Sequence, residues 1–266
     1  EIGDQSIILR AFLQFGKDCL KHIHGQFAFV IYNNENNNVF GANSSTGGPR
    51  LLYYFKDGNF VASSELKCVL PFVPQRKLNK DFIIAHVQSW MLEPENSAYE
   101  NIYHLPHGYA FSVEKNEFKK WAYYVPGKIA PIRFKRIEEY YEAGNALINQ
   151  VIKGYLEHNV TAGIQMGSGL SSSQIAWNLR QQLGDNVNAV SYILPPNYNG
   201  QAKDEKHLTD ILQKELKLNL HYVNEPVFPE PFSNHLEKKF WEQDSMMANP
   251  IGSDHEVVYG KLKELG

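Results

Sequence analysis

From Asp4 to Leu20 the apolar residues Ile7, Ile8, Ala11, Phe12, Phe15 and Cys19 recur at helical spacing, which predicts a helix packed by one face with Asp4 or Ser6 near its cap. The period then shortens. Strand-like runs follow at Gln26 to Tyr32, Asn38 to Ala42, Leu51 to Phe55 and Asn59 to Ser63, divided by Asn-rich, Gly-rich and Asp-Gly turns. Lys56-Asp57-Gly58-Asn59 has the composition of a tight hairpin turn. A helix is expected from Asn79 to Met91, and another strand pair around Tyr109 to Val113 and Phe118 to Tyr123. The first part of the chain thus reads as antiparallel β structure with a few helices.

After Pro126-Gly127 the pattern changes. A long helix over Ile137 to Leu156 precedes a short apolar strand, a loop, a helix over Ser171 to Leu183, a strand over Asn188 to Leu194, a helix over Lys203 to Leu216 and a strand over Asn219 to Val223. Strands alternating with helices imply crossover connections and a parallel sheet. The boundary between the two patterns falls near residues 124 to 135.

The loop inside that second pattern is the richest chemical signal. In Gly163-Ile164-Gln165-Met166-Gly167-Ser168-Gly169-Leu170-Ser171-Ser172-Ser173 a strand runs into a Gly/Ser turn and then a helix start. Small residues let backbone approach an anion, and N–H groups at a helix N-terminus favour phosphate. The glycines fit neither a Walker loop nor a dinucleotide fingerprint. An ordinary loop closed by a serine cap has the same composition, so the strand-end position is what favours a ligand: open parallel sheets bind ligands beyond the carboxyl ends of their strands.

Composition narrows the classes. With 266 residues, 43% hydrophobic and 21% charged, the chain reads as an ordinary globular protein of one or two domains. A net charge of −3 and pI near 6.4 give no electrostatic reason for a nucleic-acid or anionic-membrane partner. No apolar run approaches the roughly 20 residues that span a bilayer. Cys19 and Cys68 are both expected as small buried hydrophobes of a reduced, cytoplasmic protein. His22 and His24, and likewise His104 and His107, lack a carboxylate or cysteine companion that would mark a metal site.

In order along the chain, Gly3-Asp4-Gln5-Ser6-Ile7-Ile8-Leu9, Phe15-Gly16-Lys17-Asp18-Cys19-Leu20, Gly25-Gln26-Phe27-Ala28-Phe29, Pro49-Arg50-Leu51-Leu52-Tyr53-Tyr54, Ala62-Ser63-Ser64-Glu65-Leu66-Lys67 and Tyr99-Glu100-Asn101-Ile102-Tyr103-His104-Leu105-Pro106-His107-Gly108 are similar to segments of the asparagine synthetases and related enzymes. Gly167 to Ser173 resembles that family's Ser-Gly-Gly-x-Asp-Ser-Ser pyrophosphate loop. The resemblance implies an α+β class II glutamine amidotransferase-like domain (residues 1–125, antiparallel Ntn-hydrolase-like sheets) joined to an α/β parallel-sheet ATP-pyrophosphatase-like domain (residues 126–266). Both are expected incomplete: the chain opens on Glu1, after the segment that would carry the N-terminal nucleophilic cysteine, and closes before a second Gly-rich loop with Asp-Glu.

The activity implied is ATP-dependent amide formation, in which a carboxylate is adenylated and then amidated with ammonia from glutamine. ATP and Mg²⁺ are the implied cofactors. ATP, aspartate or another carboxylate, and glutamine are the implied small-molecule partners, and a homodimer is compatible with the family. Carried over residue by residue, Asp4 would hold the amino group of glutamine, or else cap the first helix. Met166, Gly167, Ser168, Gly169, Leu170, Ser171, Ser172, Ser173 and Leu194 would form the ATP and pyrophosphate site, Met166 and Leu194 framing the base. Two departures weaken activity. The family's Arg-Asp before Gly47 reads Asn43-Ser44, and the loop aspartate that helps hold Mg²⁺ is Ser171, a poor substitute for an anionic ligand. Weak nucleotide binding is therefore expected rather than efficient turnover, and no residue of these 266 is expected to act as a glutaminase nucleophile. Asp204-Glu205 falls where the family often has an acidic pair, and equally suits a solvated first turn. A relative using an internal amine, such as a β-lactam synthetase or peptide cyclase, and a silent binding module remain alternative readings.

Overall fold

The structure is a computed structural model. It describes the chain except residues 1–2, 89, 91–94, 128–129, 157–161, 186, 196–197, 199–203, 225–236, 238–240, 243 and 245–253. Two compact units emerge, the first from residues 1–130 with 238–248 and the second from 131–237 with 249–266.

In the first unit α1 (Asp4–Phe15) continues as a 3₁₀ segment (Gly16–Lys21) and leads into β1 (Ala28–Asn33) and β2 (Asn38–Asn43). β3 (Leu52–Lys56) and β4 (Asn59–Ser63) form a hairpin whose turn residues Asp57 and Gly58 both have positive φ, 51° and 76°, as the Asp-Gly pair predicted. Next come a one-turn α2 (Leu66–Val69), α3 (Lys80–Val87) capped by the Asn79 side chain on the Phe82 N–H, β5 (Ile102–His104), β6 (Tyr109–Glu114) and β7 (Glu117–Ala122). The sequence pattern missed α2 and β5, which are too short to show a period. It also ran α1 on to Leu20, where the chain tightens into 3₁₀ form after Gly16 at φ 57°. The expected end of α3 at Met91 lies outside the described residues.

Two antiparallel sheets result, ordered β1-β2-β6-β7 and β4-β3-β5. Alternation along the strands builds three layers of core from them. Leu51, Tyr53, Leu105, Phe111 and Val113 join Phe55, Phe60 and Phe118 in one cluster. Leu52 and Tyr54, on the other face of β3, pack with Leu66, Val69, Val73 and Ile102. Phe40, Ala42 and Ala110 turn the opposite way toward Phe12, Cys19 and Leu20. Strands buried on both faces explain why β2 and β3 read as apolar runs rather than clean alternation. Cys19 is fully buried as expected, whereas Cys68 is exposed on α2, because the helix turns only Leu66 and Val69 inward.

Trp241 and Asp244 join this unit through a polar clasp on α2. Both carboxylate oxygens of Asp244 accept the Lys67 N–H at 3.0 Å. The Lys67 ammonium donates to the Trp241 carbonyl at 3.0 Å, sits 4.5 Å from the Trp241 ring centroid and pairs with Glu65 at 2.8 Å.

The second unit holds α4 (Ile137–Leu156), β8 (Gly163–Gln165), α5 (Leu170–Leu183), β9 (Asn188–Tyr192), α6 (Lys206–Leu216), β10 (Asn219–Val223) and α7 (Asp254–Glu264). The strands form a parallel sheet in the order β10-β9-β8, as the strand-helix alternation predicted. β9 stops two residues before the expected Leu194, and the expected start of α6 at Lys203 lies outside the described residues. One core cluster gathers Ile164, Met166, Ala176, Leu179, Val187, Ala189, Leu218 and Leu220, with Ile152 and Leu156 of α4 packed on it. Val190, Val223 and Val258 form another with Leu262 and Leu265 from and just beyond α7. No described helix is long and apolar enough to cross a membrane.

Gly41 is the tightest point of the first unit. A Cβ there would lie 2.5 Å from two atoms of the fully buried Phe111 ring and 3.0 Å from the Phe29 carbonyl oxygen. Gly41→Ala is expected to destabilise this unit by about 1–3 kcal/mol through overpacking. Urea unfolding of the variant beside Gly41→Ala/Phe111→Leu checks this: the second change should recover part of the loss, and an unaltered midpoint for Gly41→Ala would show that the ring yields freely.

Candidate functional site

β8 ends at Gln165, and the chain leaves the sheet with the Met166 N–H still paired to the Val190 carbonyl at 2.8 Å. Met166 is 2% exposed and part of the core, so its backbone and not its side chain faces the turn. Gly167, Ser168 and Gly169 then carry the chain to the start of α5, where Gly169 is the N-cap and contributes no side-chain cap. The first backbone bond of the helix, Ser173 N–H to the Gly169 carbonyl at 3.1 Å, leaves Leu170, Ser171 and Ser172 with N–H groups ahead of the helical ladder.

The serines do not cap these donors. Ser172 donates its hydroxyl to the carbonyls of Gly167 (2.9 Å) and Gly169 (3.0 Å), and Ser173 donates to Gly169 (2.8 Å). Those bonds close the turn from within and correct the serine-cap alternative. Ser171 and Leu170 are exposed, Leu170 at 90%. The arrangement is a compact turn with outward N–H groups, chemically suited to an anion.

The loop after β9 comes back to this turn. The Leu194 N–H donates to Asp204 Oδ2 at 3.0 Å, and Asp204 Oδ1 accepts the Lys206 N–H at 2.6 Å. Beside it the Glu205 carboxylate accepts the Ser168 hydroxyl. Two residues named as ligand contacts, Ser168 and Leu194, are thus brought together by the two carboxylates before α6. That helix is tied down by a polar network: Lys206 pairs with Asp210 at 2.9 Å, the Tyr222 hydroxyl donates to Asp210 at 2.8 Å, and Thr209 lies 3.0 Å from Tyr222. The hydrogen bond from Lys206 holds the Asp210 carboxyl below its ordinary range, and that from Tyr222 acts in the same sense. Sequence reasoning set Asp204-Glu205 aside as a solvated first turn. Their reach to Ser168 and Leu194 depends on adjacent strand ends, which no local spacing reveals.

In the first unit Asp4 is exposed in the first turn of α1 and is not its cap; that position is Gly3, without a side-chain bond. Asn43 and Ser44, where the resemblance has a charged pair, are 2% and 0% exposed. Asn43 Nδ2 donates to the Leu105 carbonyl at 3.0 Å, Ser44 Oγ to the Gly47 carbonyl at 2.6 Å, and the Ser44 carbonyl accepts the Gly108 N–H at 2.9 Å. Tyr123, its hydroxyl pushed up to about 12 by burial, donates to the Asn43 carbonyl at 2.7 Å. This neutral knot joins the 43–48 turn to the 105–109 turn. It avoids the several kcal/mol of desolvation that each buried ion would require.

Around the knot opens a cavity of about 690 Å³, lined by Asn43, Arg50, Leu51, Phe82, His86, Trp90, Asn96, His104 and His107 among others. His104 and His107, set aside as a pair in the sequence, thus line one cavity with Arg50 and His86. Among the described residues no group of three His, Cys, Asp or Glu could hold a metal ion. Burial, helped by the Arg50 charge, pushes the His104 imidazole below its ordinary pKa of 6.5.

Residues 2–124 match the model of the glutamine amidotransferase domain family. The chain is 27% identical over 183 residues to a putative glutamine-hydrolysing asparagine synthetase 2 of Methanocaldococcus jannaschii, which covers 67% of this chain and 35% of the relative. It is 19% identical over 249 residues to the glutamine-hydrolysing asparagine synthetase 1 of Bacillus subtilis, covering 93% of this chain and 38% of the relative. It is also 21% identical over 180 residues to amidase chry2 of Gibberella zeae, covering 65% of this chain and 26% of the relative. The chain thus spans about a third of the length of the relatives it matches.

The neutral state of His104 carries a pH dependence. An unfolded chain protonates this histidine near 6.5, the folded chain only at lower pH, so the unfolded state binds more protons in between. Stability is expected to fall as pH drops below 6.5, levelling once the folded form also protonates. His104→Gln should flatten that part of the profile in urea unfolding compared between roughly pH 7.5 and roughly pH 5.5. An unchanged pH slope in the variant would contradict the assignment.

Proposed function

We propose, from the match of residues 2–124 to the glutamine amidotransferase domain model, that the second unit is an ATP-pyrophosphatase-type module and that the protein is an asparagine synthetase-like, ATP-dependent amide-forming ligase. The observation that carries the reading is positional. The residues that match the amidotransferase model are followed along the chain by α4 and then a parallel sheet, whose first strand delivers a Gly/Ser turn and a helix N-terminus at its carboxyl end. The similarity to the Bacillus subtilis relative supports it, because the matched region extends through both units.

In this reading the first unit serves glutamine, with Asp4 holding its amino group, and the second activates a carboxylate. The backbone donors of Leu170, Ser171 and Ser172 hold pyrophosphate oxygens, Met166 places the turn by its bond to Val190, and Leu194 meets the base through backbone. Electrostatic stabilisation of a departing pyrophosphate is what such donors supply. The turn fits an anion. It does not fit Mg²⁺, since Ser171 offers a hydroxyl where the resemblance has a carboxylate, so no step is assigned to a metal here.

Thermal unfolding with ATP or pyrophosphate tests the reading. Ligand at about ten times Kd adds roughly 1.4 kcal/mol by linkage, a shift of a few degrees. Wild type is expected to need millimolar ligand. Ser171→Asp, which restores the loop carboxylate, should tighten Mg²⁺-dependent ATP binding by about tenfold or more, the scale of a metal-site contact. Absence of any shift in both proteins would remove the nucleotide assignment.

A further inference from the structure

Two donors of the proposed nucleotide site, the Ser168 hydroxyl and the Leu194 N–H, are already engaged by this chain's own carboxylates, and we infer that Asp204 and Glu205 act as a built-in competitor that weakens nucleotide binding at the turn until they are displaced. This rests on the reading of Gly167 to Ser173 as a nucleotide site and deepens it by naming how that site is regulated.

Three observations carry it. The Ser168 hydroxyl donates to the Glu205 carboxylate, so a side-chain donor of the turn is engaged by an anion. The Leu194 N–H, the donor at the end of the neighbouring strand, is engaged by Asp204 at 3.0 Å. Both acids immediately precede α6, whose position is fixed by the Lys206–Asp210–Tyr222–Thr209 network, so they are held at the turn and do not merely pass near it. A carboxylate and a phosphate present the same acceptor oxygens to such donors, and charge-assisted bonds of this kind are the strong ones. An arriving nucleotide must therefore replace Glu205 at Ser168 and Asp204 at Leu194, and its phosphates meet their negative charge. Both acids are exposed, which lets them leave without unfolding the helix.

The sign of the effect separates this role from a metal-ligand role. A competitor weakens nucleotide binding, so removing its charge tightens binding; a cation ligand does the opposite. Titration calorimetry with ATP and with pyrophosphate, in the absence and presence of Mg²⁺, is the measurement, on wild type, Glu205→Gln and Glu205→Ala. Glu205→Gln is expected to bind both probes without metal roughly fivefold to tenfold more tightly than wild type, the effect of removing one like charge near a phosphate in a hydrated site. Glu205→Ala should gain at least as much, because the acceptor for Ser168 is lost too. Glu215→Gln, an exposed charge in the last turn of the same helix, should leave affinity unchanged and so exclude a general effect of net charge. Thermal unfolding of each variant verifies the fold. Equal or weaker metal-free binding by both Glu205 variants overturns the competitor role, as does weakening confined to the Mg²⁺ series, which would assign Glu205 to a cation. If neither wild type nor any variant binds either probe, the nucleotide reading itself falls, a result distinct from the other two.

Discussion

Everything at the working ends of the first unit hangs on one contact, the Phe111 ring laid over the bare backbone of Gly41. Phe111 is fully buried, stacks with Tyr53 and Phe118 at centroid distances of 6.3 and 5.7 Å and meets Phe60 in a tilted contact at 5.2 Å, so both sheets contribute rings to one aromatic cluster. Close packing of large rings tolerates little shift. Once β2 and β6 are in register through Gly41 and Phe111, Asn43 is set two residues beyond Gly41 and Gly108 three residues before Phe111. The neutral knot and the cavity are the two turns that this register leaves side by side.

The knot shows how neutral groups alone hold a turn at this depth of burial. Gly47 and Gly48 have φ of 54° and 107°, and a Cβ on Gly48 would meet Ser44 Oγ at 2.9 Å. The turn is therefore specified by backbone and by short hydrogen bonds. Asn43 and Ser44 meet those needs with groups that lose little on burial, although Asn43 Oδ1 is left without a hydrogen-bond partner in the structure. A side chain that faces the cavity wall with an unmatched acceptor is a modest cost compared with a buried ion.

Legibility in the sequence followed the length scale of the physics. Long amphipathic segments such as Ile137–Leu156 and turns such as Asp57-Gly58 announce themselves through local periodicity and φ preference, and both formed where expected. Elements of three or four residues, β5 and α2, exist only because neighbours cover them, and no window of sequence contains those neighbours. Cys68 failed for the same reason: its apolar flanks are real, but one turn of helix faces only Leu66 and Val69 inward. The Gly/Ser turn was legible as a motif, whereas the partner of Ser168 lies 37 residues away across a crossover and that of Leu194 lies 10 residues away at the far end of its own connection.

The second unit turns on where negative charge sits. Ser171 gives the turn a hydroxyl and no charge, yet Asp204 and Glu205 bring two carboxylates to the same mouth from the next connection. A turn whose donors were left bare would hold its outward N–H groups and hydroxyls ready for ligand at some expense of stability, as binding sites commonly do. Here the Ser168 hydroxyl and the Leu194 N–H are matched from within, while the N–H groups of Leu170, Ser171 and Ser172 stay ahead of the helical ladder, and the acids also sit favourably at the positive end of α6. On the inference drawn above, an arriving anion must displace those two bonds before it can take their place. A Gly/Ser turn of this kind is thus not a binding site by its backbone alone; its affinity is set by what the neighbouring helix end already offers to the same donors.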